Sequence, residues 1–434
     1  MQSLLDRLGP WCGATTWQVA FSGGLDSTVL LYLLADLASR HALPPIKAIH
    51  VHHGLQPVAD TWPEHCQSVC DALGIPLTVL RVQVDPGASL EQAARRARYG
   101  AFETCLEVGD ILMTAQHRDD QAETLLFRLL RGAGVRGLAG MPMQRPLGRG
   151  LLLRPLLDSS REQLAAYAHE HGLRFINDPS NDDPRFSRNF LRHRLMPVVA
   201  EHWPQAVVTL TRAAANLREA QALLDDVARE DLQAAVAVDA WFQLPALALG
   251  PLAGLSAARQ RNALQAWLAL RTRLPDAQHW RGWENLRDAA ADGQPIWALA
   301  DGELHRCAGT LYWLSGGWLA DGRSPSVRGP LVWADVSRPL ALPGNGSVWT
   351  TGVLSVGKVD IRYRAGGEVM HIPGRGHRDL KRLLQEAGVP GFARARLPLL
   401  FIDGQLRAVA GLSISGQAEV QLHWIPPTSD QCLR

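Results

Sequence analysis

The segment Ser22-Gly23-Gly24-Leu25-Asp26-Ser27 constrains this chain more than any other. The apolar run at residues 17–21 reads as a buried strand leading into it. Val29, Leu30, Leu33, Leu34 and Leu37 recur at helical spacing behind it, up to Arg40 and His41. A strand, a Gly-Gly turn and a helix start put several backbone N–H groups at the positive end of a helix dipole, where phosphate oxygens bind. Glycine lets the backbone adopt angles closed to other residues and approach a ligand closely. Ser22 and Ser27 add hydroxyl donors. Asp26 puts a carboxylate where bound anions would repel it, which makes sense if it holds a metal ion such as Mg²⁺, or a proton. A capped helix after a Gly-Gly turn needs only part of this set. The lysine-bearing ATPase loop G-x-x-x-x-G-K-[ST] is absent, so a different nucleotide-phosphate site is expected.

A chain of 434 residues has room for two or three domains, each with its own core. Residues 1–200 alternate strand and helix: strands at 46–52, 76–82 and 110–115 and a fifth at 151–153, with helices at 60–73, 89–106 and 119–131. Ser159 or Ser160, with Glu162 or Gln163 three residues on, offers a capping box for a further helix ending at His171. Repeated strand–helix units imply an α/β fold, a doubly wound parallel sheet covered on both faces. Ligands of such sheets bind beyond the carboxyl ends of the strands, where the Ser22 loop lies.

Residues 201–320 change texture to Ala- and Leu-rich helices at 206–232 and 257–270. They end in a hairpin at 296–314 turning on Asp301-Gly302. Residues 316–330, rich in Gly, Ser, Pro and Arg, read as a linker. The remainder, 331–434, reads as a small α+β domain with strands at 353–362 and 399–412 and a helix at 378–386.

The formal net charge of +2 gives no overall field of the kind that marks a nucleic-acid coat protein. Lys47, Lys358 and Lys381 are the only lysines, so arginine, the better fork for phosphate, carries nearly all the positive charge. The six cysteines show no zinc or C-x-x-C spacing, and no apolar run is long enough to span a membrane. No basic-then-apolar leader opens the chain, so cytoplasm is the expected compartment.

Polar clusters fall at strand ends. His50, His52 and His53 lack a partner set for zinc and fit nucleotide positioning better. Glu91, Arg95 and Arg98 share neighbouring faces of a helix, either as an ion-paired surface or as a substrate contact. His117 to Thr124 opens another helix and puts Asp120 and Glu123 on one face, suited to Mg²⁺ or to an incoming ammonium group. Gly132 to Gly137 matches G-x-G-x-x-G but follows a helix, which excludes a dinucleotide fingerprint. Asp178 to Asn181, then Arg185, Arg188, Asn189, Arg192 and Arg194, form a basic stretch able to hold phosphates or to stand solvated. Arg375, Arg378, Lys381 and Arg382 make a second basic run. Helical spacing would put the last three on one face.

SGGLDS resembles the pyrophosphate-binding loop of N-type ATP pyrophosphatases, the PP-loop superfamily. With HVHHGL (50–55), the E-x-x-A-R-x-x-R-Y pattern from Glu91 to Tyr99, H-x-x-D-x-x-E-T (117–124), Arg154 to Leu157, Asp178 to Asn181 and R-N-F-x-R (188–192), the chain resembles bacterial tRNA(Ile)-lysidine synthases. Arg364 to Glu368, Lys381 and Arg394 extend the likeness to the C-terminal domain.

The resemblance implies a ligase that uses ATP as co-substrate, with Mg²⁺, to adenylate the wobble cytidine of a tRNA(Ile) with anticodon CAU. Pyrophosphate leaves, and free L-lysine then displaces AMP to give lysidine, which changes codon reading from AUG to AUA. It implies ATP on Ser22, Gly23, Gly24, Leu25, Asp26 and Ser27, with Asp26 near the metal or the reacting phosphate. It implies lysine ammonium on Asp120 and Glu123 with Arg95 nearby, and tRNA on the stretch with Arg188, Arg192 and Arg194 and on the later domains, where the face of Arg378, Lys381 and Arg382 either holds tRNA phosphates or stands solvated. A tRNA thiolase of the same superfamily is the alternative. It would need persulfide or cluster-binding cysteines, for which Cys66 and Cys70 are poorly spaced.

Overall fold

The computed structural model describes residues 2–54, 56–84, 90–239, 241–275, 278–290, 292–320, 329–353, 357–372, 376–412 and 420–428. The chain divides into two compact units, Met1–Leu223 and Leu224–Leu433.

The first unit is built on a six-stranded sheet: β1 (Thr16–Ala20), β2 (Ile46–His52), β3 (Leu77–Arg81), β4 (Asp110–Met113), β5 (Gln144–Leu147) and β6 (Gly150–Leu153). Their spatial order is β3-β2-β1-β4-β6-β5. Every pairing is parallel except β5 with β6. The expected five-strand parallel sheet is therefore present, with an antiparallel edge strand added. Gln-Arg-Pro-Leu carries little strand signal, and proline is tolerated at an edge because no ladder partner needs its missing N–H.

Successive strand residues face opposite sides of the sheet, and the two cores follow that alternation. Trp17, Val19, Ala48, Ile111 and Met113 belong to one buried cluster; Ile49, Val51, Leu112 and Leu152 belong to the other. Helices α1 (Gln2–Leu8), α2 (Leu25–Arg40), α3 (Trp62–Leu73) and α7 (Arg161–Glu170) contribute Leu8, Leu30, Leu34, Cys66 and Leu164 to the first. Phe102 and Leu106, in and just after α4 (Leu90–Cys105), fill the second. Helix α5 (Arg118–Leu129) follows β4, and the short α6 (Val135–Leu138) precedes β5. Strand–loop–helix order at β1–α2 and β4–α5 brings the Ser22 loop and the His117 segment to the same edge of adjacent parallel strands. The unit closes with α8 (Ser187–Phe190), a π-helical turn over Leu191–Leu195, α9 (Met196–His202) and the start of α10 (Ala206–Ala235).

The second unit is less helical than its composition predicts. Helices at Leu249–Ala253, Ala257–Leu268 and Arg281–Asp288 pack with a five-stranded antiparallel sheet. The expected hairpin is a three-strand meander: Ile296–Leu299, Gly302–Cys307 and Thr310–Leu314. Its second turn has positive φ at both Ala308 (47°) and Gly309 (76°), the twist that two-residue hairpins need. Val236–Ala237 and Ala246–Ala248 complete the sheet and are too short to show periodicity.

Four-, three- and two-stranded sheets make up the C-terminal part. Phe242 and Trp318 are buried in one cluster with Val348, Leu380 and Leu400, so the 316–330 segment is not wholly a linker; residues 321–328 lie outside the described residues. The expected 353–362 strand is seen at Val359–Arg362, with 354–356 outside the described residues. The expected 378–386 helix runs from Leu380 to Glu386. Arg378 instead lies in a strand, Gly376–Asp379, opposite Met370. Asp379 ends that strand and caps the helix by accepting from the Arg382 N–H at 3.2 Å. Arg378 therefore does not share a helical face with Lys381 and Arg382.

Candidate active site

The β1–α2 loop is a tight cradle. Gly23 has φ +82°, and a Cβ there would come within 2.5 Å of Ile176 Cδ1 and 3.0 Å of Cys66 Sγ. Only glycine satisfies both the angle and the space. The Ser22 and Ser27 hydroxyls lie 3.0 Å apart, the Gly24 N–H donates to Ser22 Oγ, and Ser27 Oγ donates to the Gly24 carbonyl. Intrahelical bonding begins with Thr28 N–H on the Gly24 carbonyl. The N–H groups of Leu25, Asp26 and Ser27 therefore stand at the helix start without intrahelical acceptors. That is the anion-binding geometry the sequence predicts.

Asp26 leads from this loop to α5. Its Oδ2 lies 3.7 Å from Nε2 of His117, and the same nitrogen lies 3.5 Å from Asp120 Oδ2. The other ring nitrogen of His117 is 3.5 Å from Asp119 Oδ2. His117 is 1 % exposed. Burial opposes its protonation, but Asp119, Asp120 and Asp26 together outweigh burial and hold its pKa above the ordinary histidine value. Burial likewise pushes the Asp26 carboxyl up, against the pull of His117. Asp120 also accepts the His117 backbone N–H at 3.0 Å, fixing the helix start. Sequence reasoning quoted His117 within a motif and gave it no role; a histidine flanked by Asp119 and Asp120 was the available signal.

Asp120 and Glu123 do lie together, and Arg192 joins them. Its guanidinium donates to Glu123 Oε1 at 2.7 Å, Glu123 Oε2 at 3.0 Å and Asp120 Oδ1 at 2.9 Å. Arg192, grouped by sequence with outward RNA-facing arginines, thus turns inward here. Four carboxylates (Asp26, Asp119, Asp120 and Glu123) gather here with Arg192, Arg161 and His117, and burial pushes the Asp26 and Glu123 carboxyls up against the pull of these neighbours.

One cavity of about 370 Å³ collects these parts. Ser22, Asp26, Asp120 and Arg192 line it, and so do Arg98, Tyr99, Arg161, Asp178 and Asn181. Glu123 is 4 % exposed and is held by Arg192 instead of lining the wall. Arg95 is one layer back: its guanidinium lies 4.7 Å from the Tyr99 ring centroid and donates to the phenol oxygen at 3.2 Å. Burial would raise the Tyr99 phenol, but Arg95, Arg154, Arg98 and Arg145 around it bring its pKa below the ordinary value. Arg161, which sequence reasoning did not single out, reaches the wall from the first turn of α7, where its N–H donates to Asp119 Oδ2 at 2.9 Å.

His50 is buried, its Nδ1 2.9 Å from the Phe21 carbonyl; it and His53 line the cavity, and burial lowers the pKa of both. Leu55, in the HVHHGL motif, lies outside the described residues, as does Arg375. Among the described residues no group of three or more His, Cys, Asp or Glu could hold a metal. A nucleotide-bound Mg²⁺ needs only one or two carboxylates, its other ligands being phosphates and water. Asp26 fits that need: its Oδ1 is buried with no hydrogen-bond partner among the described residues.

Arg188 is half-buried on α8 and Arg194 is exposed in the π-helical turn. Arg378, Lys381 and Arg382 are exposed in the second unit. No helix among the described residues is long and apolar enough to cross a membrane.

Comparison with known proteins adds three family-model matches: a PP-loop domain over residues 2–199, a TilS substrate binding domain over 247–312 and a TilS substrate C-terminal domain over 359–424. The chain is 60 % identical over 436 residues to a tRNA(Ile)-lysidine synthase of Pseudomonas fluorescens, covering 99 % of this chain and 98 % of that one. It is 58 % identical to a tRNA(Ile)-lysidine synthase of Pseudomonas aeruginosa over 98 % and 97 % of the two chains. Among solved structures, a U34-tRNA thiolase of Methanococcus maripaludis covers 50 % of this chain and 78 % of its own at 17 % identity, with a TM-score of 0.41.

Proposed function

The chain belongs to the tRNA(Ile)-lysidine synthase family, and from that premise we propose that it ligates free L-lysine to the wobble cytidine of tRNA(Ile) carrying a CAU anticodon, at the expense of ATP, in the cytoplasm. The observation that carries the reading is the meeting of the phosphate loop and the acidic helix at His117 within one cavity, since the reaction needs phosphates and an amine at the same base.

ATP lies with its phosphates on the amides and hydroxyls of residues 22–27. The ring carbonyl oxygen of cytidine attacks the α-phosphorus. The new oxygen–phosphorus bond forms as the bond to the β-phosphate oxygen breaks, and pyrophosphate leaves. The lysine ε-amine then attacks the activated ring carbon, and AMP departs with the carbonyl oxygen. An amide-like carbonyl is a poor electrophile, so adenylation supplies the leaving group. Lysine has a pKa near 10.4, so roughly one amine in a few thousand is nucleophilic at neutral pH. Asp120, backed by Glu123 and Arg192, receives the ammonium, and the cluster around His117 is where its proton is held as it leaves. Arg95 acts by orienting Tyr99 against the cavity. Asp26 holds Mg²⁺, which when bound neutralises phosphate charge. Residues 1–200 carry the chemistry, and residues 201–320 and 331–434 hold tRNA, with Arg188, Arg194, Arg378, Lys381 and Arg382 on its phosphates.

Incubation with tRNA, ATP and radiolabelled lysine, a sulfide donor or ammonia tests the reading. Lysine label is expected to enter tRNA(Ile) with release of AMP and pyrophosphate. Sulfur entering in its place would establish a thiolase.

A further inference from the structure

Helix α5 leads from the active-site cavity to a second concavity. Asp120 and Glu123 occupy its start, while Phe127 lies near its end and Leu130 and Arg131 just beyond. The last three join Pro184, Phe190 and Leu195 around a groove of about 380 Å³. Its lining holds two arginines, Arg131 and Arg185, and no carboxylate among the described residues. Phe190 is 50 % and Leu130 71 % exposed, and the Arg131 guanidinium lies 5.1 Å from the Phe127 ring centroid. Arg185 is paired with Asp183, but its own side chain is 89 % exposed, which leaves the guanidinium open to a phosphate.

The groove and the acidic pair share both walls. On one side is α5, in which Phe127 sits about two turns beyond the cavity-lining Asp120, about 10 Å along the axis. On the other is the 187–195 segment, in which Phe190 precedes Arg192 by two residues and Arg192 binds Asp120 and Glu123. A ligand strand with one unit in the cavity thus finds its next unit beside an exposed phenyl ring with guanidinium groups at the rim.

We propose that this groove takes a nucleobase adjacent to the target cytidine, stacked on Phe190, with the neighbouring backbone phosphate on Arg131 and Arg185. The inference rests on the functional reading above. Single-stranded loops are recognised by splaying bases onto aromatic and guanidinium planes, and an apolar floor with a cationic rim matches a base carried on a polyanionic backbone. An apolar peptide would bring no negative charge to the two arginines, and a second copy of this chain would show itself in the test below as self-association.

The test uses the full chain and an anticodon stem-loop in which 2-aminopurine replaces either the adenine after the cytidine in CAU or the nucleotide before it. Stacking is expected to change the fluorescence at one of the two positions on binding wild-type protein. Phe190→Ala should abolish that change and raise the KM for tRNA about ten-fold, within the range that loss of one base–aromatic stack gives, without moving the KM for ATP or lysine. Phe190→Trp should restore both. No signal at either position while lysine is incorporated, or a signal that survives Phe190→Ala, would overturn the proposal. So would self-association of the wild type that Phe190→Ala abolishes while RNA binding is untouched. A wild type that binds the stem-loop with a Phe190-dependent signal yet incorporates no lysine would sink the functional reading and leave the groove assignment standing.

Discussion

The imidazole of His117 lies 3.7 Å from the Asp26 carboxylate, joining the phosphate loop of α2 to the acidic start of α5. These residues are far apart in sequence and adjacent only because β1 and β4 are parallel neighbours, with Val19 beside Met113. The same ring lies equally close to Asp119 and Asp120. A buried imidazole amid three carboxylates fixes their spacing, and those carboxylates hold its pKa above the ordinary histidine value. Under the proposed function, Asp26 faces the phosphate chemistry and Asp120 the amine within this single network.

Asp26→Asn keeps the side chain's size and removes its charge. ATP affinity, measured by equilibrium binding, is expected to stay within about a few-fold, because the loop amides and serines are untouched. Release of pyrophosphate dependent on tRNA is expected to fall by at least about 100-fold, a loss typical of removing one preorganised electrostatic contact. Wild-type turnover by the variant would remove Asp26 from the chemistry.

Arg192 is the neutralising partner of Asp120 and Glu123. Arg192→Met leaves Glu123 buried without a countercharge and should lower unfolding free energy by about 3 kcal/mol in urea titration, the cost of orphaning one half of a buried pair. Adding Glu123→Gln should recover part of that loss. If the single variant is as stable as wild type, the three hydrogen bonds of Arg192 contribute nothing to the fold.

Gly23→Ala should cost stability and nucleotide binding together. The backbone at φ +82° disfavours any side chain by about 1–2 kcal/mol. The added methyl also meets Ile176 at 2.5 Å, displacing the 176–178 segment that lines the cavity beside the loop. Melting temperature and ATP affinity measured on one sample should fall in parallel. A variant that loses stability but binds ATP normally would show that the cradle tolerates the shift.

The parts of this arrangement legible in the sequence were local. An apolar run, a Gly-Gly turn and helical spacing sufficed for β1 and α2, and three-residue spacing sufficed to put Asp120 beside Glu123. What lay beyond reach depended on contacts between distant segments. Nothing around Arg192 in the sequence distinguishes an arginine that turns inward across 69 residues to Glu123 from the half-buried Arg188 or the exposed Arg194. Arg378 was misplaced because spacing alone cannot show that Asp379 caps a helix rather than continuing one. The sheet of the second unit was missed because two of its strands are two and three residues long.

Cys66, beside Gly23 of the phosphate loop, and Cys70, one turn further along α3, are fully buried, and burial pushes their thiols up to about 12 and about 11. Both values exceed the roughly 8.5 of an unfolded cysteine. The folded state therefore holds these protons more tightly, and their stabilising contribution is complete below about pH 8.5 and is lost as pH rises toward the folded values. Stability measured by denaturant between about pH 8.5 and 10.5 should fall less steeply in Cys66→Ala/Cys70→Ala than in wild type. Iodoacetamide at neutral pH should leave both thiols of the native protein unlabelled, since the thiolate is the reactive form. Labelling of Cys66 without unfolding would contradict the burial.

Lys381 and Arg382 begin the helix Leu380–Glu386, both exposed, with Arg378 on the adjoining strand. Removing the C-terminal domain is a poor test of their role, because Phe242 and Trp318 are buried against Leu380, Leu400 and Leu422 and would be laid open to water. Point substitutions avoid that. If this surface holds tRNA phosphates, Lys381→Ala should weaken tRNA binding alike across tRNA sequences. It should also lower the slope of log K against log salt by about 1, one phosphate contact's worth of released counterion. Lys381→Arg should retain the slope, and ATP affinity should not move in either variant. An unchanged salt slope in the Lys381→Ala/Arg382→Ala double variant would mean that this basic face stands in solvent while tRNA binds elsewhere.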